Sequence, residues 1–286
     1  MPLDTTINVL NAPVPAHLSF PVGYENTRFH KSKYVVNEAT DEILGIVGKT
    51  FNCATHLKFF EGVQETMVET LSDQDLSSVD VKWRSARGNA WAMMDLRMNN
   101  VVAKIANDKF QTTINPRVIA LHGIDGSCSN QVYFGSIDAF CTNGMISGTY
   151  DTVKRKNSAR FDMDVFKKEL RQARRDFFVE AERMNGWLNK QMPLSDVKEL
   201  IESIVKSDRK AEKMTSLYFT EAATRGHNVF ALYSAFTNYA SYADERNGFT
   251  LKNTGNDTQS ESMWKREQEV NKWVSSDRFQ RLLQAA

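Results

Sequence analysis

The chain has 286 residues, of which 41% are hydrophobic and 25% are charged, a composition typical of globular proteins that are long enough to bury a sizeable core. It carries 36 lysines and arginines against 35 acids, so its net charge of +1 excludes a uniformly basic, histone-like protein. No apolar run approaches the roughly 18 residues that span a bilayer, and the N-terminus lacks the basic start and apolar core of a secretory signal, which together predict a cytoplasmic protein.

The three cysteines, Cys53, Cys128 and Cys141, match no zinc-binding spacing, and an odd number cannot all pair within one chain. We therefore expect free thiols in a reducing compartment.

Residues 1–30 hold three of the six prolines and no periodic apolar pattern, which indicates an extended N-terminal arm. Two short strands, Tyr34–Val36 and Ile43–Val47, are predicted next, joined by a polar turn. A helix follows, because apolar residues recur at helical spacing after Thr55, the expected N-cap.

From residue 79 to about 150 the apolar period becomes two. Val79, Val81 and Trp83 share one face of the first strand, and four further strands follow with short polar connections. Such connections imply an antiparallel sheet, because parallel pairs need long crossovers. With a long basic helix, this sheet forms the predicted α+β core, residues 31–190.

The predicted C-terminal region, residues 191–286, is helical. It follows the long amphipathic helix of the core, and Ser195 is the expected N-cap of its first helix. A polar stretch, residues 246–262, predicts a mobile loop before a final helix that carries Trp264 and Trp273. The fold class is therefore α+β: an antiparallel sheet of several strands packed with helices, followed by a helical C-terminal region.

The stretch "LHGIDGSCSNQVYFGSIDAFCTNGM" (121–145) gathers residue types from which catalytic sites are built. In a nucleophilic site, Ser127 or Cys128 would use His122 as base and Asp125 as orienting group. A hairpin is the alternative: if 117–122 and 128–137 are adjacent strands, "GIDGS" is their turn and its glycines supply positive φ angles. The turn accounts for these residues without catalysis, and no established metal-ligand spacing is present. We therefore predict no catalytic and no metal-binding residue.

Basic residues on the predicted strands and in the loop after the sheet are the second signal. A charge run is often only a solvated face. If these cations line one groove, they predict salt-dependent binding to phosphates, with Trp83, Trp91 and Tyr133 as stacking surfaces for unpaired bases. The candidate DNA contacts are Lys82, Arg84, Arg87, Arg97, Lys104, Lys154, Arg155, Lys156 and Arg160.

Three segments resemble the phage/plasmid-like family catalogued as domain of unknown function nine-three-two. They are "ATDEILGIVGKTFNCATHLKFFEGV", the 121–145 stretch with its similarity to a His-Asp-Gly-Ser hairpin followed by "vCtNgl", and "GHNVFALYSAFTNYASYADE". The resemblance extends from about Val35 to the C-terminus. The chain departs from the family pattern by carrying Ile124 between Gly123 and Asp125, which weighs against a catalytic duty for the hairpin.

This family is in turn similar to the single-strand annealing proteins of the Rad fifty-two superfamily, which includes the Red-beta and RecT groups. The resemblance implies a homo-oligomer, a ring or filament, in which single-stranded DNA lies along a basic groove. It implies no need for ATP, a metal or any other cofactor, and a bacterial cytoplasm as the location. A phage exonuclease or a single-strand binding protein is a further expected partner, and a membrane is not.

The leading hypothesis is a non-enzymatic protein that binds single-stranded DNA and anneals strands in phage or plasmid recombination or replication. The alternative is a metal-assisted nuclease or other nucleic-acid hydrolase that uses His122 and Asp125. A third class, an interaction protein such as an inhibitor of a host defence enzyme, predicts neither DNA binding nor cleavage.

Overall fold

The computed structural model describes residues 10–29, 31–138, 144–145, 153–155, 162–243 and 259–284. Two antiparallel sheets precede a series of helices, so the predicted α+β class is confirmed. The strands are β1 Val22–Asn26, β2 Ser32–Asn37, β3 Glu42–Gly48, β4 Val79–Ala86, β5 Trp91–Met98, β6 Ala103–Ala106, β7 Gln111–Gly123, β8 Asn130–Asp138, β9 Gly144–Met145 and β10 Val153–Arg155. The helices are α1 His56–Thr70, α2 Asp73–Leu76, α3 Met163–Asn189, α4 Leu194–Ile204, α5 Asp208–Arg225, α6 Val229–Tyr242, α7 Gln259–Val274 and α8 Asp277–Gln284.

A three-stranded antiparallel sheet has the order β1-β2-β3 and contains both strands predicted near residues 34–47. Strand β1 lies within the segment predicted to be an arm: it is extended, but it pairs with β2 along its whole length. In its sequence, "VGYEN", only Val22 and Tyr24 alternate as apolar residues, which is too short a pattern to predict a strand.

The larger sheet has seven strands in the order β10-β8-β7-β5-β4, with β6 paired to β7 and β9 to β8. Strand β5 is buried on both of its faces, and β4 lies at one edge. On one face the helix α1 packs against β4 and β5: Phe60 meets Trp83 edge-on and Gln64 donates to the Met94 sulfur. The side chain of Thr55 accepts the amide hydrogen of Lys58 at 3.2 Å, so the predicted N-cap of α1 is confirmed.

Two helix predictions need correction. Ser195 is not an N-cap: α4 begins at Leu194 after Pro193, and the Ser195 hydroxyl donates to Asp196 inside the first turn. The helix α5 was not predicted, because its buried side includes Glu221 and Arg225, which break the apolar periodicity.

The loop predicted at 246–262 ends earlier, since α7 begins at Gln259. Residues 244–258 lie outside the described ranges. The final helix with its two tryptophans is confirmed.

The chain divides into two compact units that alternate along the sequence. Unit 1 comprises residues 1–100, 117–133 and 151–173, and unit 2 comprises residues 101–116, 134–150 and 174–286. The core of unit 2 is built around α6, which packs against α5 and α7 and is buried along nearly all its length.

Candidate functional site

Strand β4 carries two of the predicted cations at the edge of the larger sheet. Lys82 is exposed and Arg84 is half-buried, and alternate residues of a strand lie on the same face about 6.8 Å apart. Neither side chain forms an ion pair with a residue in the described ranges. Arg97 shares this face, because it is the cross-strand partner of Asp80. The structure therefore brings Lys82, Arg84 and Arg97 together on one face.

Burial of the same face increases towards the centre of the sheet. Asp95, opposite Lys82, is 6% exposed, and Arg117 on β7 is 3% exposed. Arg117 donates from Nε and Nη2 to the two Asp95 oxygens at 2.6 and 2.8 Å, a bidentate pair. With the three cations above, Arg117 makes four positive charges against the carboxylates of Asp80 and Asp95, so this face carries a net charge of +2 on β4, β5 and β7.

Arg87 lies in the turn between β4 and β5 rather than on a strand. Arg87, Gly88 and Asn89 have φ values of 57°, 60° and 66°, three left-handed residues in succession. For a residue with a Cβ such as Arg87, this conformation costs about 1–2 kcal/mol. The Arg87 guanidinium extends towards the β7–β8 turn and donates to Asp125 Oδ2 at 3.4 Å. The turn thus holds an exposed cation on strained backbone.

The other predicted contacts do not lie on the β4–β5 pair as far as the structure describes them. Lys104 is exposed on β6 in unit 2. The backbone of Lys154 and Arg155 forms β10, which pairs with β8 and not with β4. Lys156 and Arg160 lie outside the described residues.

The predicted stacking surfaces are largely structural. Trp83 lies on the opposite face of β4, against Phe60, and Trp91 is 2% exposed. Tyr133 is half-buried, and its hydroxyl donates to Gln131. Trp91 is therefore a core residue and not a platform for bases.

The stretch 121–138 forms the predicted hairpin. Asp125 Oδ1 accepts the amide hydrogen of Ser127 at 2.9 Å, which closes the turn, and Gly126 has a φ of 75°. The expectation that Gly123 also needs positive φ is wrong: a Cβ there would lie 2.8 Å from the Cys128 sulfur, so close packing requires this glycine.

No hydrogen bond joins His122 to Asp125 in the described part of the chain, because each side chain bonds to other partners. Asp125 accepts from Ser127 and Arg87, as described above. His122 instead contacts His56, and the two Nδ1 atoms are 2.8 Å apart. The His122–Asp125 arrangement that a nucleophilic site requires is not formed.

His122 and His56 form a buried pair of imidazoles. His122 is fully buried and stacks on Phe59, while His56 packs between Phe20 and Phe60. Burial lowers the pKa of His56 to about 4, against smaller opposing effects from its hydrogen bond to a backbone carbonyl and from Asp125. Burial, with a smaller contribution from His56, lowers the pKa of His122 well below its usual value. Both rings are therefore neutral at pH 7.

Cys53 and Tyr24 lie beside the hairpin turn. The Tyr24 hydroxyl accepts the amide hydrogen of Cys53 at 2.9 Å, and the Cys53 sulfur contacts the Ile124 carbonyl oxygen at 3.7 Å. Burial raises the pKa of both groups; the side-chain hydrogen bond between them raises the pKa of Tyr24 further, and it lowers the pKa of Cys53 by less than burial raises it. Cys53 and Cys128 are free thiols, and Cys141 lies outside the described residues. A protonated thiol is a weak nucleophile, so Cys53 is not activated for catalysis.

Sequence reasoning missed His56 and Tyr24. His56 is 66 residues from His122 along the chain, and no local pattern links a helix start to a distant strand. Among the described residues, no three His, Cys, Asp or Glu side chains are grouped so that they can hold a metal ion.

Comparison with known proteins gives one match. A family model described as "Domain of unknown function (DUF932)" matches residues 43–284, more than four-fifths of the chain. No curated protein and no solved structure matches it significantly. None of the helices in the described ranges has the length and apolarity that a bilayer-spanning helix requires.

Proposed function

Because the chain belongs to the DUF932 family, whose description assigns no activity, we propose its function from the cations of β4 and β5: the protein binds single-stranded DNA. The observation that carries the proposal is the placement of Lys82, Arg84 and Arg97 on one face of the β4–β5 pair, where β4 is the last strand in the order of the larger sheet. A row of cations along an extended strand suits an extended polyanion, since each phosphate contact releases counterions.

Arg87 adds an exposed cation in the turn directly after β4, where its guanidinium also pairs with Asp125. Arg84 and Arg97 are half-buried, so the exposed parts of the row are the edge strand and its turn. We name this surface, made of Lys82, Arg84, Arg87 and Arg97, the β4 rim. It is a narrower site than the nine residues predicted from the sequence, because only these four belong to the hairpin made of β4, β5 and their turn.

Strand annealing is the second part of the proposal. It comes from the resemblance to the Rad fifty-two superfamily, and it requires a protein that neutralises and presents strands, whereas base pairing supplies the driving force. We expect the protein to form a homo-oligomer on DNA. Particle images of the purified protein with and without single-stranded DNA check this, and monomers under both conditions would contradict it.

The β4 rim is tested by fluorescence anisotropy with a labelled single-stranded oligonucleotide over a salt series. The double variant Lys82→Ala/Arg84→Ala is expected to weaken binding and to lower the slope of log K against log salt by about 1.4, or roughly 0.7 for each lost phosphate contact. Wild-type protein that fails to bind at low salt would reject the function.

Two variants are matched controls for this test. Lys58→Ala removes an exposed cation from α1, which covers the opposite face of the sheet, and is expected to leave the slope unchanged. Asp80→Asn removes a carboxylate from the rim face and is expected to tighten binding. Incubation of protein and DNA with magnesium or manganese tests the nuclease alternative: cleavage that His122→Ala and Asp125→Ala abolish would replace annealing as the function.

A further inference from the structure

A line of hydrogen bonds connects the buried histidine pair to the turn that carries Arg87. His56 Nε2 lies 2.8 Å from the carbonyl oxygen of Asn89, and His56 Nδ1 lies 2.8 Å from His122 Nδ1. The three groups belong to strand β7, the first residue of α1 and the β4–β5 turn, all within unit 1. We infer that His122 and His56 are positioning residues, which hold this turn in the conformation that presents Arg87 to DNA.

The partners determine which atoms carry the protons. A carbonyl oxygen only accepts, so His56 donates from Nε2 to Asn89. A neutral His56 then has a bare Nδ1, which accepts from His122 Nδ1–H. His122 Nε2 is left as an unprotonated, buried nitrogen that makes no hydrogen bond to the described residues. These two hydrogen bonds, which we call the relay, therefore both donate in one direction, from His122 to His56 and from His56 to Asn89.

The turn needs such an anchor because its backbone is strained. Three successive residues are left-handed, and Arg87 is the one whose side chain disfavours this most. Besides the His56 bond, the supports of this turn include two backbone bonds, from Ala90 to the Arg87 carbonyl and from Ile124 to the Ala90 carbonyl, and the ion pair of Arg87 with Asp125. If His56 releases the Asn89 carbonyl, the strained conformation loses one of these supports, and we expect Arg87 to be held less firmly in position.

A relay and a packing role predict opposite effects at His122. Asparagine offers a side-chain N–H near the position of the histidine Nδ1, so His122→Asn keeps the donor to His56 but adds a polar group among aromatic rings. Leucine suits the apolar surroundings better but has no donor. The relay requires that Asn preserves the turn and Leu releases it, whereas a packing role requires the reverse.

Amide hydrogen exchange on the free protein is the first experiment. In His122→Leu the amides of Ala90 and Ile124 are expected to exchange roughly five- to tenfold faster than in wild type, the size of one lost hydrogen bond. In His122→Asn they are expected to match wild type. Slower exchange in the Leu variant than in the Asn variant would overturn the relay. This readout needs no DNA, so it decides the inference even if the proposed function fails.

A double-mutant cycle on DNA binding is the second experiment, and it rests on the proposed function. Arg87→Asn removes the cation but suits a left-handed residue, and is expected to lower the salt slope by about 0.7. His56→Phe keeps an aromatic ring but removes the relay, and it is expected to lower the salt slope by a similar amount. Because both changes remove the same phosphate contact, the salt slope of the double variant is expected to fall by about 0.7 and not by 1.4.

The control cycle pairs His56→Phe with Lys82→Ala, whose losses are expected to add. Additive losses for His56→Phe with Arg87→Asn, or an unchanged slope in His56→Phe alone, would overturn the positioning role while leaving the β4 rim intact. If His56→Phe does not fold, the same comparison is made with His122→Leu.

Discussion

His122 and His56 are two neutral imidazoles in contact. Burial stops both rings from binding the proton that a histidine in water takes up in mildly acidic solution. His122 and His56 are enclosed by Phe20, Phe59 and Phe60, and the Asp125 carboxylate acts on His56 in the opposite sense to burial. Desolvation of the cation outweighs the attraction of that carboxylate, so the folded protein binds fewer protons than the unfolded chain in mildly acidic solution.

The stability of the protein should therefore fall as the pH drops below about 6.5. The unfolded histidines are protonated there, whereas folded His56 stays neutral down to about pH 4, so this residue alone removes about 3 kcal/mol across the interval. Urea unfolding at pH 5 to 8 measures the trend. The variant His122→Asn has one fewer histidine, and its stability should depend less steeply on pH between 6.5 and 5.5. If the free energy of unfolding depended on pH equally steeply in wild type and in His122→Asn, His122 would not be a neutral, buried imidazole.

At the scale of elements, the three-stranded sheet meets the β7–β8 turn through a glycine. A Cβ on Gly45 of β3 would lie 2.8 Å from the Asp125 Cβ, whereas a Cβ on Gly48, at the end of the same strand, would meet nothing within 4 Å. Neither glycine has a left-handed φ. The close approach of strand and turn, and not the backbone conformation, explains why residue 45 is a glycine.

Gly45→Ala should accordingly destabilise the protein by about 1–3 kcal/mol, because a methyl group cannot enter that contact without moving the turn. Gly48→Ala is the matched control on the same strand, and it should be neutral or slightly stabilising because alanine restricts the unfolded chain. Thermal unfolding of both variants gives the comparison. If the Gly45 variant were as stable as the Gly48 variant, the β7–β8 turn would not be packed against β3 at Gly45.

Across the whole molecule, each unit buries an ion pair inside its core. Unit 1 has Asp95 with Arg117, and unit 2 has Arg225, which is 1% exposed and pairs with Glu221 at 2.5 Å and Asp138 at 3.5 Å. The Arg225 guanidinium also lies 4.9 Å from the ring centre of Phe110. These pairs join β8, α5 and neighbouring elements, so packing in unit 2 depends on a charge as well as on apolar contacts.

Arg225→Met should cost about 3–5 kcal/mol, because it leaves the carboxylates of Asp138 and Glu221 buried without their cation. Arg209→Met, at an exposed position of the same helix, is the control and should change the free energy of unfolding by less than about 0.5 kcal/mol. Chemical denaturation followed by circular dichroism measures both. Similar stabilities would mean that the buried network tolerates loss of its arginine.

Features with a local cause could be predicted from the sequence. The Thr55 cap, the hairpin turn at Asp125–Gly126 and the alternation that places Lys82 and Arg84 on one face all depend on residues within a few positions of one another. The α+β class followed from the same periodicities. Prediction failed where burial included charge, as in α5, whose Glu221 and Arg225 look like solvent-facing residues until their partners are known.

The amino-acid sequence alone determined the order and type of most elements, because periodicity and capping act over one or two turns of chain. Only the tertiary structure decided which distant residues meet. It paired His122 with His56, separated by 66 residues, placed Arg97 on the same face as Lys82, opposite Asp80, and left Lys104 in the other unit. The physical reason is that such contacts depend on strand register and on helix packing, which no single segment encodes, and the candidate site is made of contacts of this kind.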